Sequence, residues 1–168
     1  MTDFEGCKAL YSETFQDSGV FCEKLFETNF THCIYKKSGG RVASMLFALP
    51  CVIETAEKTY KAKYIFAAAT DPAFRGQGLM SDMINDLGRE EVLFLKPATA
   101  ALQTFYERLG FSRFSAQKKD AGTPRALPCG NFAKLSAFDG PTGEEYTAMY
   151  RYKEPLNLNG LNFSLIME

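Results

Sequence analysis

The stretch Arg75-Gly76-Gln77-Gly78-Leu79 constrains this chain more than any other. An extended, largely apolar run, Tyr64–Thr70, stops at Asp71-Pro72. A helical stripe of Leu79, Met80, Met83, Ile84 and Leu87 begins directly after the second glycine. Glycines at a strand-to-helix junction reach backbone angles closed to other residues and let the main chain lie close to a ligand. The first amides of the new helix have no partner within it, and the helix dipole adds partial positive charge there. The segment reads as a phosphate cradle, with a ligand-free strand–helix turn as the alternative.

Two familiar phosphate binders do not match it. A nucleotide P-loop needs lysine and then serine or threonine after its last glycine, whereas Gly78 is followed by Leu79-Met80. The dinucleotide fingerprint needs a third glycine and an acidic residue about twenty positions on. The third glycine is missing, Glu90 and Glu91 come too early, and Glu107 comes too late.

The rest of the chain sets bounds. A length of 168 residues suits one domain, and a net charge of -1 offers nothing to attract nucleic acid. The pairs Lys36-Lys37 and Lys118-Lys119 read as solvated loops. Cys7, Cys22, Cys33, Cys51 and Cys129 are odd in number and lack close pairs, which argues against a disulfide framework or a metal site. Reduced thiols imply a cytoplasmic protein. The N-terminal Asp3 and Glu5 do not suit a secretory leader, and no run approaches the roughly twenty apolar residues of a membrane span.

Phe4, Cys7, Leu10, Tyr11 and Phe15 recur at helical spacing, and a second helix from about Ser18 carries Phe21, Leu25 and Phe26. Ile34-Tyr35 and Val42–Leu49 read as strands around Ser38-Gly39-Gly40. Pro50 ends or bends the second, and Cys51–Glu54 and Tyr60–Thr70 are further extended runs. Gly88 closes the helix that starts at Leu79. Val92–Leu95 is short and wholly apolar, as in a buried parallel strand. Ala101, Leu102, Phe105, Tyr106 and Leu109 form another helical stripe ended by Gly110, and Phe111–Gln117 is extended. In the tail, Lys118–Pro128 reads as a loop, Asn131–Phe138 as a strand paired with Phe111–Gln117, Thr142–Lys153 as a helix and Leu161–Met167 as a final strand. The order predicts an α/β protein with a mixed central sheet and helices on both faces.

Arg75-Gly76-Gln77-Gly78-Leu79-Met80, followed one strand later by Phe105-Tyr106-Glu107-Arg108-Leu109-Gly110-Phe111, resembles the GNAT superfamily of acyl-coenzyme-A-dependent N-acyltransferases. Its signature is Gln/Arg-x-x-Gly-x-Gly/Ala, and its last helix ends in Phe-Tyr-x-x-Leu-Gly-Phe. The resemblance spans Tyr64–Phe111 most clearly. Ala67-Ala68-Ala69-Thr70-Asp71-Pro72 and Leu95-Lys96-Pro97 are closest in pattern to the acetyltransferase unit of the enhanced-intracellular-survival type. Residues 1–168 then form a single GNAT-like domain, with the part played by 140–168 left open.

The resemblance implies acetyl-CoA as co-substrate, no metal, and a small amine or peptide as acceptor. The amides of Arg75, Gly76, Gln77, Gly78, Leu79 and Met80 hold the pyrophosphate, and the backbone of Ala69 and Thr70 pairs with the pantetheine arm. Tyr106, by spacing alone a core residue on its helix, becomes the general acid toward the leaving sulfur. Met80 stands where relatives have glycine or alanine, and Thr99 where many have asparagine. His32, Glu54 and Glu57 are further candidate bases that spacing does not select. A monomer or homodimer is expected. The competing expectation is a non-catalytic acyl-CoA sensor or interaction module.

Overall fold

The computed structural model describes residues 1–16, 19–118, 122–138 and 144–163. They form α1 (Asp3–Thr14), α2 (Gly19–Asn29), β1 (Cys33–Ser38), β2 (Arg41–Glu54), β3 (Thr59–Thr70), α3 (Leu79–Asp86), β4 (Val92–Leu95), α4 (Ala100–Arg108), β5 (Ser112–Gln117), β6 (Arg125–Pro128), β7 (Glu145–Arg151) and β8 (Leu161–Asn162). The strands are hydrogen-bonded in the order β1-β2-β3-β4-β7-β5-β8-β6, with a further β2–β6 pairing. The result is a mixed α/β sheet of eight strands flanked by helices, the predicted class. Two compact units share it. One comprises Met1–Leu49 with Ile65–Gly88, the other Pro50–Tyr64 with the described residues from Arg89 onward.

In the first unit, Thr2 and Glu5 form a capping box that starts α1. Tyr11, Phe26 and Phe47 are fully buried and pack edge-to-face, with Phe4 against Phe26. A hairpin pairs Cys33 with Phe47 through Ser38 with Arg41, turning at Gly39 and Gly40. Every residue from Val42 to Leu49 is buried, so β2 does not alternate between core and solvent.

In the second unit, Ala62–Tyr64 pair in parallel with Val92–Phe94, as the strand–helix–strand reading requires. That ladder ends at Tyr64↔Phe94. β4 then pairs with β7, β7 with β5, β5 with β8, β8 with β6, and β6 with the end of β2. The pairings thus return from β6 to β2 and close a ring of strands. Tyr64, Phe94, Phe132 and Phe163 are buried in this unit, with Tyr64 and Phe163 each touching the rings of the other three.

Several expectations need correction, among them the lysine pairs: Lys36 and Lys37 lie in β1 and Lys118 is buried, so neither is a solvated loop. Pro50 does not divide two strands, since β2 is continuous through it. The β1 ladder ends at Phe47 and the β6 ladder starts at Cys51, so Pro50 falls between partners, where its missing N–H is not needed. The Thr142–Lys153 segment is no helix in its described part but strand β7, hydrogen-bonded on both edges. Asn131–Phe138 belongs to a 3-10 helix, Gly130–Phe138, which buries Phe132 and Leu135 at a spacing of three. The Lys118–Pro128 loop contains β6. Residues 164–167 of the expected last strand lie outside the described residues.

Candidate functional site

The glycine turn belongs to the first unit. β3 delivers it through Ala67, whose φ of 56° lies in the left-handed region, the one such non-glycine among the described residues. For an L-residue that conformation costs about 1–2 kcal/mol. The chain then runs into a short turn capped by Asp71. One carboxylate oxygen accepts from the Ala73 amide at 2.9 Å and the other from Arg41 at 2.8 Å. The Ala73 amide holds the Asp71 carboxyl below its ordinary range; burial opposes it, and the Arg41 charge and hydrogen bond add smaller lowering effects. Arg41 also lies over the Phe74 ring at 5.0 Å. This network fixes where residue 75 begins.

Gly76 and Gly78 have φ of 80° and 76°. A Cβ at either would meet nothing within 4 Å, so the requirement for glycine comes from backbone angle and not from space. Gly78 is the N-cap of α3 and offers no side-chain acceptor. The first helical bond across the junction runs from the Asp82 amide to the Gly78 carbonyl at 3.0 Å. The amides of Leu79, Met80 and Ser81 precede it and have no intrahelical acceptor. Arg75, Gly76, Gln77 and Gly78 are exposed, and Leu79 and Met80 half-buried. The result is an open, amide-lined bend at the positive end of a helix. It fits a diphosphate by charge and by its lack of side chains.

Arg75 does not simply point at solvent. Its Nε donates to the Thr70 carbonyl at 3.3 Å. The Ala69 carbonyl accepts from Ser44 at 3.2 Å, and the Ser44 and Thr70 hydroxyls are 2.8 Å apart. The Ala69 and Thr70 carbonyls, part of the backbone expected to pair with a pantetheine arm, thus each have a side-chain donor. A cleft of about 330 Å³ in the same unit is lined by Asp3, Gly6, Lys37, Arg41 and Asp71, among others, and by none of residues 75–80.

Thr99 and Tyr106 belong to the second unit. Thr99 is the N-cap of α4, its hydroxyl accepting from the Leu102 amide at 3.2 Å. Tyr106 is 6% exposed, with its ring against Phe105 and Phe111. Burial pushes its phenol up to about 12, so it is neutral over the whole ordinary pH range. Glu54 is taken by Arg125 at 2.8 Å. Glu57 sits in the exposed turn whose amide is bonded to Thr55. His32 ends a 3-10 turn, Phe30–His32, and not a strand. All five cysteines are free, and among the described residues no cluster of His, Cys, Asp or Glu could hold a metal.

Sequence reasoning missed Ser44, Ala67 and Asp71. A single hydroxyl inside Val42–Leu49 was a usable signal for Ser44, because a buried polar group needs a partner. Nothing about an alanine announces positive φ.

The domain described as "Acetyltransferase (GNAT) domain" matches residues 1–114. Solved structures of like fold include the GCN5-related N-acetyltransferase of Kribbella flavida, at 18% identity and TM-score 0.55, covering 70% of this chain and 35% of that one. Eis1 of Mycobacterium abscessus is 12% identical with TM-score 0.54, covering 70% of this chain and 32% of that one. An HPA2-related acetyltransferase of Corynebacterium glutamicum ATCC 13032 is 14% identical with TM-score 0.56, covering 92% and 93%. The chain thus spans about a third of the first two proteins. Among curated proteins, none matches this sequence. No helix among the described residues is long and apolar enough to cross a membrane. With the matched domain extending from the first residue past both the glycine bend and Tyr106, the chain belongs to the GNAT acetyltransferase family.

Proposed function

We propose that this protein moves an acetyl group from acetyl-CoA to a primary amine of a small molecule or peptide by direct attack. The observation that carries the reading is the bend at 76–78, held by two left-handed glycines, which leaves the first-turn amides of α3 without acceptors. In this reading those amides and the Arg75 side chain bind the diphosphate. The amine nitrogen forms the new bond to the acetyl carbon, the carbon–sulfur bond breaks, and the amine proton passes to solvent or a base. Tyr106, neutral before the step, passes its phenol proton to the departing sulfur as general acid, so coenzyme A leaves as the free thiol, and regains a proton from solvent. Residues 1–168 act as one acyltransferase domain, in line with the near-complete coverage of the Corynebacterium protein's chain.

The test is release of free thiol from acetyl-CoA with a panel of small amines and peptides, beside calorimetric titration with coenzyme A. Turnover on at least one amine is expected. Binding without turnover on any amine, unaltered by Tyr106→Phe, would replace the enzyme by an acyl-CoA sensor.

A further inference from the structure

Ser44 is fully buried in β2, between Ala43 and Met45, which are equally inaccessible. An alanine there would serve the core as well, and a buried hydroxyl is costly unless it is bonded. Its partners all lie at the exit of β3. The hydroxyl is 3.2 Å from the Ala69 carbonyl and 2.8 Å from the Thr70 hydroxyl. A serine hydroxyl carries one proton. With that proton on the Ala69 carbonyl, the Thr70 hydroxyl must be the donor to Ser44, so the two hydroxyls form one relay ending on the β3 backbone. Next to it, the Asp71 amide donates to the Ala43 carbonyl at 2.8 Å, and Arg75 holds the Thr70 carbonyl at 3.3 Å. Three consecutive residues, 69 to 71, are thus pinned between the left-handed Ala67 and the short Pro72–Phe74 turn that leads into the glycine bend.

We propose that Ser44 is a positioning residue for acyl-carrier binding: its hydroxyl relay locks the last turnings of β3, so that the 75–80 bend is presented in its binding shape before the carrier arrives. This rests on the diphosphate reading of the bend. Binding to a preformed bend loses less ordering entropy than binding to a loose one. Removing the serine hydroxyl therefore lowers affinity although Ser44 itself, fully buried, meets no part of the carrier.

The experiment titrates coenzyme A into the wild-type protein, Ser44→Ala, Ser44→Cys and Thr70→Val by calorimetry, and follows hydrogen exchange at the Ala69–Asp71 amides without ligand. Ala48→Gly, in the same buried stretch of β2, controls for stability loss. Ser44→Ala is expected to weaken binding roughly five- to tenfold, the effect of one buried hydrogen bond, and to speed exchange at Asp71. Ser44→Cys falls between, since a thiol is a weaker donor. Ala48→Gly keeps wild-type affinity. If Ser44→Ala does not fold, Thr70→Val decides, because it cuts the same relay at its half-buried end. Wild-type affinity and unchanged exchange in the serine variant would overturn the proposal while leaving the bend's function intact. No coenzyme A binding by the wild-type protein would remove the diphosphate reading, and the proposal with it.

Discussion

Replacing Gly78 by alanine separates the two things the glycine bend does. Gly78 holds φ 76° and ψ 14° as the N-cap of α3. An added Cβ meets no atom within 4 Å, so no steric clash adds to the backbone term. The strain of an L-residue in that region is about 1–2 kcal/mol. For a chain of this size, 1 kcal/mol corresponds to roughly 2–4 °C in Tm. Gly160, with φ 82° and equally open surroundings, is the natural control. Gly160→Ala should lose that stability, read from urea midpoints, and Gly78→Ala less as its exposed bend relaxes. They should differ in carrier binding. If the free Gly78→Ala bend relaxes out of its strained shape, coenzyme A must restore that shape, and the same 1–2 kcal/mol reappears as a rise in Kd of roughly 5- to 30-fold. Gly160→Ala should bind as the wild-type protein does. A smaller stability loss in Gly78→Ala than in Gly160→Ala, together with equal coenzyme A affinity in both, would refute the claim that the bend grips the diphosphate.

Other outcomes follow from single observations. Tyr106→Phe should lower kcat by about a hundredfold, the lower range for general acid catalysis, with KM for acetyl-CoA little changed; steady-state thiol release checks this. The Tyr106 phenol rises from 10.0 to about 12 on folding. The folded state therefore holds that proton more tightly, and stability falls as pH climbs from about 10 toward 12. Urea midpoints at pH 9 and 11 should fall less in Tyr106→Phe than in the wild-type protein. Ala67→Gly should leave stability unchanged or raise it by up to about 1 kcal/mol, by releasing left-handed strain. An ordinary strand alanine would instead lose about 0.5–1 kcal/mol on the same change, so a loss of that size would refute strain at φ 56°. Asp71 titrates below 3.8 when folded. Its contribution is present above that value and disappears as pH falls through the folded pKa. Asp71→Asn should accordingly flatten the loss of stability between pH 5 and 3, measured by thermal melts.

What the linear sequence determined was local. The change from an extended run to a helical stripe across Gly76 and Gly78 located β3, the bend and α3, because backbone freedom and hydrophobic period are properties of neighbouring residues. The apolar Val92–Leu95 run located β4 for the same reason. Tertiary structure decided what depends on distant partners. β7 carries a helix-like charge pattern, yet it is a strand because β4 and β5 both pair with it. Pro50 interrupts nothing, because the strand changes partner there. The left-handed angle of Ala67 and the hydrogen bonds of Ser44 are likewise invisible in residue identity. The Ser44 bond exists because two chain segments more than twenty residues apart meet at the end of β3, and only the folded arrangement settles which donor meets which acceptor.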